Sequence, residues 1–296
     1  MRYAEVGGAR VSVIGLGTWQ FGSREWGYGR DYAKGEAGAI VREAIELGIN
    51  LFDTAEVYGP WRSERILGAA LRDHRDQAFI ATKLFPIGLP FRTEARARAS
   101  ARRLGVKRID LYQQHWPSPL FPPRFTMPRF RRLVDSGLVS FAGVSNHSLA
   151  QWQACDAAFG GPVLSNQVRF SLIHREPDRD LVPWAQKNDR IVIAYSPLAQ
   201  GILSGRYQAA PPQNFRRVRS DFVNTQRWEP LISALREISA LRQATVSQVA
   251  LAWLISKPNV VAIPGASSVT QLRENAAAAD VQLDPQDLAQ LDSLSA

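Results

Sequence analysis

A single cysteine, Cys155, stands among 296 residues. No intramolecular disulfide can form, and so little cysteine suits a reducing compartment. No apolar run approaches the ~20 residues that a membrane-spanning helix needs. The opening stretch, MRYAEVGGAR, lacks the apolar core of a secretory signal. A cytoplasmic protein is therefore expected. Histidine is scarce too. None of His74, His115, His147 and His174 has a second histidine three or four residues away, so no metal site is expected. Acid is in short supply, with 27 Asp and Glu against 36 Lys and Arg, a net charge of +9. The densest basic stretch, FRTEARARASARRLGVKR (91–108), spreads its arginines around a helical wheel with no aromatics between them. That is the pattern of a solvated amphipathic helix rather than a base-stacking surface. Neither nucleic acid nor membrane is expected as a partner. A small molecule is, bound to a monomer or homo-oligomer.

What the chain does contain is alternation. Short apolar, β-branched runs are each followed by a stretch with helical period. GINLFD (48–53) precedes SERILGAALRDH (63–74), and AFIATK (78–83) precedes RTEARARASARRLG. IDLYQQH (109–115) precedes RFRRLVDSG (129–137), and LVSFAGVSN (138–146) precedes LAQWQACDAAFG (149–160). PVLSNQ (162–167) leads to DRDLVPWAQKN (178–188), and IVIAYS (191–196) leads through a long loop to EPLISALREISALRQ (229–243). NVVAIPG (259–265) leads to VTQLRENAAAA (269–279). VSVIGLG (11–17) with GEAGAIVREAIELG (35–48) supplies a first unit. Gly48, Gly105 and Gly137 stand where helices should stop. Eight β/α units predict a parallel (β/α)8 TIM barrel, one domain over residues 1–296. MRYAEVGGARVSV, with its central glycine pair, predicts a β-hairpin ahead of it. Cys155 and Trp253 read as packing residues.

The polar residues that end these strands are evenly placed. Asp53, Lys83, His115, Ser145 with Asn146, Gln167 and Tyr195 follow one another at gaps of 30, 32, 30, 22 and 28 residues. A barrel of about 250 residues in eight units has a period of about 30. All six positions therefore fall at the carboxyl end of the barrel, where such folds carry their active sites. Asp53 and Lys83 end adjacent strands and can form a buried ion pair. Tyr58 lies in the loop above, within reach of the lysine. The ammonium is expected to lower its pKa and make it a general acid. His115, one strand further, can donate a hydrogen bond to a carbonyl oxygen. Together the four could protonate an oxygen while its carbon receives a hydride.

With these residues in place, the sequence resembles the aldo-keto reductase superfamily over essentially its whole length. GINLFDTAEVYG is similar to the family's Asp/Tyr signature, IATK to its lysine strand and DLYQQHWP to its histidine strand. GVSN, SNQ, YSPLAQGILSG and IPGASSVTQLREN resemble its cofactor segments. The resemblance implies a catalytic tetrad of Asp53, Tyr58, Lys83 and His115. It implies NADPH-dependent reduction of aldehydes and ketones to alcohols; a cofactor-binding regulatory subunit on the same fold is the alternative. It also implies a nicotinamide cofactor held without a Rossmann fold. GLGTWQFG has G-x-G-x-x-x-x-G spacing, not that of a G-x-G-x-x-G phosphate loop.

By the same matching, Gly17, Thr18 and Trp19 lie near the nicotinamide and substrate, with Asp53 beneath. Ser145, Asn146 and Gln167 hold the carboxamide, whose donors and acceptors they can answer. Tyr195 stacks on the ring, and Ser196, Leu198, Gln200 and Gly201 meet the pyrophosphate. Glu274 and Asn275 match adenine contacts. Many relatives place Lys or Arg near the 2′-phosphate; this chain has Gly265, Ser267, Ser268 and Gln271. That form resembles the branch of bacterial general-stress and inositol-type reductases and potassium-channel β-subunits, which also use NADP. A helix start rich in serine can hold phosphate, and Arg216 or Arg217 can add charge. An aromatic-lined substrate pocket is expected from Trp19, Trp26, Tyr28, Trp61 and Trp116, with Tyr58 and His115 at its base. After PQDLAQLDSLS, the long carboxyl-terminal lid of some branches is not expected. Segments 20–34 and 204–228 are expected to cover the pocket instead.

Overall fold

The computed structural model describes residues 1–22, 30–86, 90–205 and 225–295. A hairpin comes first, β1 (Tyr3–Val6) against β2 (Ala9–Ser12), antiparallel with Tyr3 opposite Ser12. Its turn residues Gly7 and Gly8 have φ of 57° and 82°. Two successive positive φ angles define the tight hairpin turn that glycine favours.

Eight strands follow: β3 (Leu16–Gly17), β4 (Leu51–Asp53), β5 (Phe79–Leu84), β6 (Ile109–Gln114), β7 (Val139–Ser145), β8 (Ser165–Arg169), β9 (Ile191–Tyr195) and β10 (Val260–Ala262). All pair in parallel with their sequence neighbours. The ends meet: Ile14 bridges Ala262, Gly17 bridges Gly265, and Gly15 donates its N–H to the Ala262 carbonyl at 2.8 Å. The sheet is thus a closed (β/α)8 barrel, as the alternation predicts. Residues 11–17, read as one strand, divide between hairpin and barrel. Val11 and Ser12 pair with β1, and the chain regains barrel pairing at Ile14.

Around the sheet lie α1 (Trp19–Gly22), α2 (Arg30–Glu46), α3 (Arg62–Ala70), α4 (Thr93–Leu104), α5 (Pro123–Asp135), α6 (Leu149–Phe159), α7 (Glu176–Arg179), α8 (Leu181–Lys187), α9 (Glu229–Leu241), α10 (Val246–Ile255), α11 (Val269–Ala277) and α12 (Pro285–Leu294). Two differ instructively from the sequence reading. α5 starts at Pro123 rather than 129, because Pro123 fits a first helical turn and Pro128 is accommodated inside. α10 was not separable from its surroundings. Eight of its ten residues are buried, so it lacks the polar face that gives a helix its period. A capping box at Thr245 and Gln248 marks its start.

The core has an inside and an outside. Inside the barrel, Leu51, Leu111, Leu164 and Ile191 come from the amino ends of strands and pack with Val6, Ala9 and Val11 of the hairpin. The hairpin therefore closes the amino-terminal end. Outside, helices bury large side chains such as Trp152, Trp253 and Phe130 against the sheet. With one end closed by the hairpin and the flanks packed by helices, the carboxyl end is where a ligand can enter.

Candidate active site

Asp53 ends β4 behind Leu51 and Phe52, both fully buried, and is itself only 2% exposed. Its Cα is paired with Ala81 on β5. Strand side chains alternate, so Lys83, two residues beyond Ala81, shares its face. That register brings the fully buried Lys83 Nζ to 2.6 Å from Asp53 Oδ1. Lys83 also donates to the Thr54 carbonyl at 2.9 Å and to the Tyr58 hydroxyl at 3.2 Å. An ammonium has three hydrogens, and each has an acceptor here. The other Asp53 oxygen, Oδ2, accepts from Gln167 Nε2 across the barrel at 2.7 Å.

The loop carrying Tyr58 is held tightly. Gly59 has φ of 58°, and a Cβ there would overlap the Gly22 carbonyl. Only glycine combines that conformation with so close an approach. Below it, Thr18 Oγ1, Ser63 Oγ and Thr54 Oγ1 form a buried hydroxyl chain with links of 2.8 and 2.9 Å. On its far side Glu56 accepts from Phe85 N at 2.7 Å and is ion-paired with Arg96. This joins the loops after β4 and β5. Phe85 in turn meets the His115 ring edge-on, with centroids 5.8 Å apart. Glu56 and Arg96 were not singled out from sequence, since nothing in their spacing separates them from surface charges.

The electrostatics correct one expectation. Burial raises the Tyr58 pKa above that of an ordinary phenol; the Lys83 charge pulls it down, but less strongly. Tyr58 is therefore not tuned toward neutrality; it stays protonated well past pH 7. Burial also opposes the Lys83 charge, yet Asp53 and Tyr58 outweigh it and raise that pKa. The pair is Lys⁺ with Asp⁻. Burial, helped by Lys83, lowers His115 to about 3, so its imidazole is neutral. His115 Nδ1 is buried and has no hydrogen-bond partner among the described residues. The His115 ring lies edge-on to Tyr58 at 5.9 Å and stacks with Trp116 at 6.4 Å.

A cavity of about 670 Å³ opens above these groups, lined by Asp53, Tyr58, His115 and Trp116 on one side and by residues of β7 to α11 on the other. Along the second side, Ser145 Oγ donates to the Gln167 carbonyl at 2.8 Å. Asn146, with φ of 59°, donates to the His115 carbonyl at 3.1 Å and accepts from the Tyr195 hydroxyl at 2.9 Å. Beyond Tyr195 the chain turns through Ser196, Ala199, Gln200 and Gly201, all at positive φ.

The Aldo/keto reductase family profile matches residues 13–296. The chain belongs to the aldo/keto reductase family. It is an oxidoreductase of carbonyl compounds. An uncharacterised oxidoreductase of Mycobacterium tuberculosis is 56% identical over 291 residues, covering 97% of this chain and 90% of the relative. Methylglyoxal reductase YeaE of Escherichia coli is 33% identical over 288 residues, 97% of this chain and 92% of that protein. A Klebsiella pneumoniae aldo/keto reductase, solved with NADP and acetate, superposes with a TM-score of 0.82 at 32% identity, covering 99% of this chain and 94% of that one. The glycerol dehydrogenase of Gluconobacter oxydans reaches 0.89 at 27% identity, with coverage of 99% and 94%.

In this aldo/keto reductase the cavity wall brings together most residues singled out from sequence. Gly17, Trp19, Asp53, Tyr58, His115, Trp116, Ser145, Asn146, Gln167, Tyr195, Ser196, Leu198, Gln200, Gly201, Gly265, Ser267, Gln271, Glu274 and Asn275 all line it. Lys83 and Thr18 are fully buried and do not line it; both hold Asp53, Thr18 through its carbonyl at 2.8 Å. Ser268 does not line it either. Its hydroxyl caps α11, accepting from Gln271 N. Trp61 is not a pocket residue. It is half-exposed and lines a separate groove with Arg65, Ala99, Arg102 and Arg103 on α3 and α4, because the turn after Gly59 faces outward. Trp26, Tyr28, Arg216 and Arg217 lie outside the described residues, as do most of the two segments expected to cover the pocket. No helix among the described residues is long and apolar enough to cross a membrane, and no described cluster could hold a metal ion.

Several wall residues were missed: Gln20, Arg169, Pro197, Ser204, Ser247, Ile263 and Pro264. Arg169 was within reach of the strand argument, since it stands two residues past Gln167 on β8. Ser247 was not, because it belongs to the helix that carries no period.

Proposed function

We propose that this protein reduces aldehydes and ketones to alcohols with NADPH, and that Tyr58 is the general acid. The observation that carries the reading is the Tyr58 hydroxyl. It accepts a hydrogen bond from Lys83 Nζ and lines the cavity. With its lone pair engaged by the ammonium, the phenol turns its own hydrogen elsewhere, toward a substrate oxygen. Lys83 then steadies the oxygen as its proton leaves, and Asp53 holds Lys83 in place. His115 is neutral. It does not compete as an acid but can donate an N–H to the same carbonyl oxygen, polarising the carbon. A bound nicotinamide supplies the hydride.

The second wall suits that cofactor by its chemistry. Ser145, Asn146 and Gln167 present hydroxyl and amide groups at strand ends, the complement of a carboxamide. Tyr195 offers a ring beside them. Ser196, Leu198, Gln200 and Gly201 follow for the pyrophosphate. Gln200 Oε1 is buried with no partner among the described residues, an acceptor awaiting a donor such as a ribose hydroxyl. Gly265, Ser267, Gln271, Glu274 and Asn275 form the adenosine end. Ser267 donates both N–H and hydroxyl to Gln271 Oε1 at 2.8 Å, which fixes that amide with its NH₂ outward beside the α11 start. A 2′-phosphate is favoured at such a helix start. Arg216 and Arg217 can strengthen NADPH over NADH from the loop. The NADP-bound Klebsiella relative supports the choice.

Titration with NADPH and NADH, followed by an aldehyde panel, tests the reading. Turnover with NADPH is expected. Tight cofactor binding without turnover of any aldehyde or ketone would point instead to a regulatory subunit.

A further inference from the structure

The groove beside Trp61 shares no residue with the main cavity and has a volume of about 380 Å³, within the range of small-ligand sites. It runs between α3 and α4. The two helices touch at Gly68, where an added Cβ would overlap the Leu104 carbonyl. Nearer the start of α3, Trp61 and Arg65 line the groove together with Ala99, Arg102 and Arg103 of α4.

Its charges do not balance. α4 carries four arginines, and three are matched to an acid. Arg96 pairs with Glu56, Arg98 with Glu94 and Arg103 with Glu64. Arg102 has no partner among the described residues, and neither has Arg65 on α3. Glu64 cannot serve them. One of its oxygens accepts from Thr82 Oγ1 at 2.8 Å and the other from Arg103 Nε at 2.5 Å. No acid lines the groove. Two uncompensated guanidiniums therefore share it, and like charges repel. Arg102, in the last turn of α4, at least suits the carbonyls that end that helix. Arg65, in the first turn of α3, stands where the helix dipole disfavours a cation. An anion between the two would relieve both conflicts.

Trp61 supplies a second feature. Its φ of 62° lies in the left-handed region that bulky residues rarely adopt. Its N–H is anchored on the Glu56 carbonyl at 2.9 Å, while its side chain is half-exposed. The indole has no aromatic or cation–π partner among the described residues. The groove thus holds a free ring beside two free cations.

We propose that the α3–α4 groove binds a nucleoside monophosphate, with the phosphate between Arg65 and Arg102 and the base stacked on Trp61. A guanidinium engages phosphate oxygens bidentately. Stacking on an exposed aromatic ring accepts any base. The site is separate from the nicotinamide reading and adds a second ligand to the protein.

The test is a calorimetric titration with guanosine 5′-monophosphate of protein saturated with NADP, which fills the main cavity. Saturable binding of one equivalent is expected, weakening as salt rises. Arg65→Gln and Arg102→Gln should each lower the affinity roughly tenfold, as for a lost charge-assisted bond. Trp61→Ala should lower it roughly tenfold too, and Trp61→Phe should keep most of it. Inorganic phosphate should bind more weakly and be indifferent to Trp61→Ala. Arg98→Gln removes the same charge from a residue already paired with Glu94, and should change nothing. Equal weakening by Arg98→Gln would reduce the effect to net charge and overturn the proposal. Phosphate bound as tightly as the nucleotide would remove the base from the site and overturn it as well. So would the absence of saturable binding at millimolar nucleotide, or affinity unmoved by the Arg65 and Arg102 variants. If the protein does not take up NADP, the nicotinamide reading fails, and the same variants still decide the groove.

Discussion

The two walls of the cavity are built on different physics. On the β4–β6 side a buried carboxylate, ammonium, phenol and imidazole interlock, and every Lys83 proton is committed. On the β7–α11 side the groups are mostly neutral amides, hydroxyls and one ring, with Arg169 and Glu274 among them. The first wall holds its charges in fixed states. The second offers donors and acceptors that a ligand can complete. Side-chain bonds join them, among them Gln167 to Asp53 at 2.7 Å and Asn146 to the His115 carbonyl at 3.1 Å. The neutral wall is thereby tied to the charged one.

Breaking the charged wall should have the largest effect. Lys83→Met leaves Asp53 buried without its cation, and removing one partner of such a pair costs about 3–5 kcal/mol. Turnover should vanish, and the urea midpoint should fall sharply. An unchanged midpoint would mean that the two charges do not depend on each other.

Next is Tyr58→Phe, which touches the charged wall but not its ion pair. Aldehyde reduction should fall by about 10²–10⁴, the usual contribution of a placed general acid. Cofactor affinity should stay near wild type, because the second wall is intact. Near-native turnover would remove Tyr58 from the proton's path. The raised phenol pKa sharpens this. Reduction by the wild type should show no loss from Tyr58 ionisation below about pH 10, the ordinary phenol value.

Gln167→Ala cuts the bond from Gln167 to Asp53 between the walls. It leaves Asp53 Oδ2 short of a donor, worth about 1–3 kcal/mol for a buried charged acceptor. It also removes part of the amide cluster. A modest loss of stability with a loss of cofactor affinity is expected, both smaller than for Lys83→Met. If stability alone changes, Gln167 belongs to the charged wall and not to the ligand.

The same contrast governed what could be read from the sequence. Charged residues ending apolar strands at a period near 30 stand out, so Asp53, Lys83 and His115 were legible, and with them the barrel. What failed was magnitude. That Lys83 approaches Tyr58 followed from register, but whether its charge or burial wins depends on how much water the closed fold excludes. The neutral wall was legible mainly through family resemblance, since Ser145, Asn146 or Gln167 alone looks like any helix cap. Arg169 was overlooked although strand alternation places it beside Gln167. Ser247 was hidden because α10, buried on nearly every side, has no polar face to betray its period. Trp61 misled because proximity in sequence to Tyr58 does not fix direction. One turn at Gly59 sends it to the outer surface.

A pH dependence shared by both walls is also expected. His115 on the charged side is held at about 3, and His147, behind the amide cluster, at about 4. Burial is the chief cause in both; for His147 it overcomes a hydrogen bond from the ring Nδ1–H to the Ser145 carbonyl at 2.8 Å. Free histidine titrates near 6.5. Between that value and the folded ones the unfolded chain binds more protons, so stability rises with pH there. The contribution is complete above about pH 6.5 and declines as pH falls toward 4 for His147 and 3 for His115. Urea midpoints measured from pH 7.5 to 5 should therefore drop on acidification, before most carboxylates titrate. His147→Asn can keep a donor for the Ser145 carbonyl while removing the titration, and should flatten the slope over that range. A slope identical to wild type would mean that His147 charges without disturbing the fold, and that the ground beneath the amide wall is wetter than its 4% exposure shows.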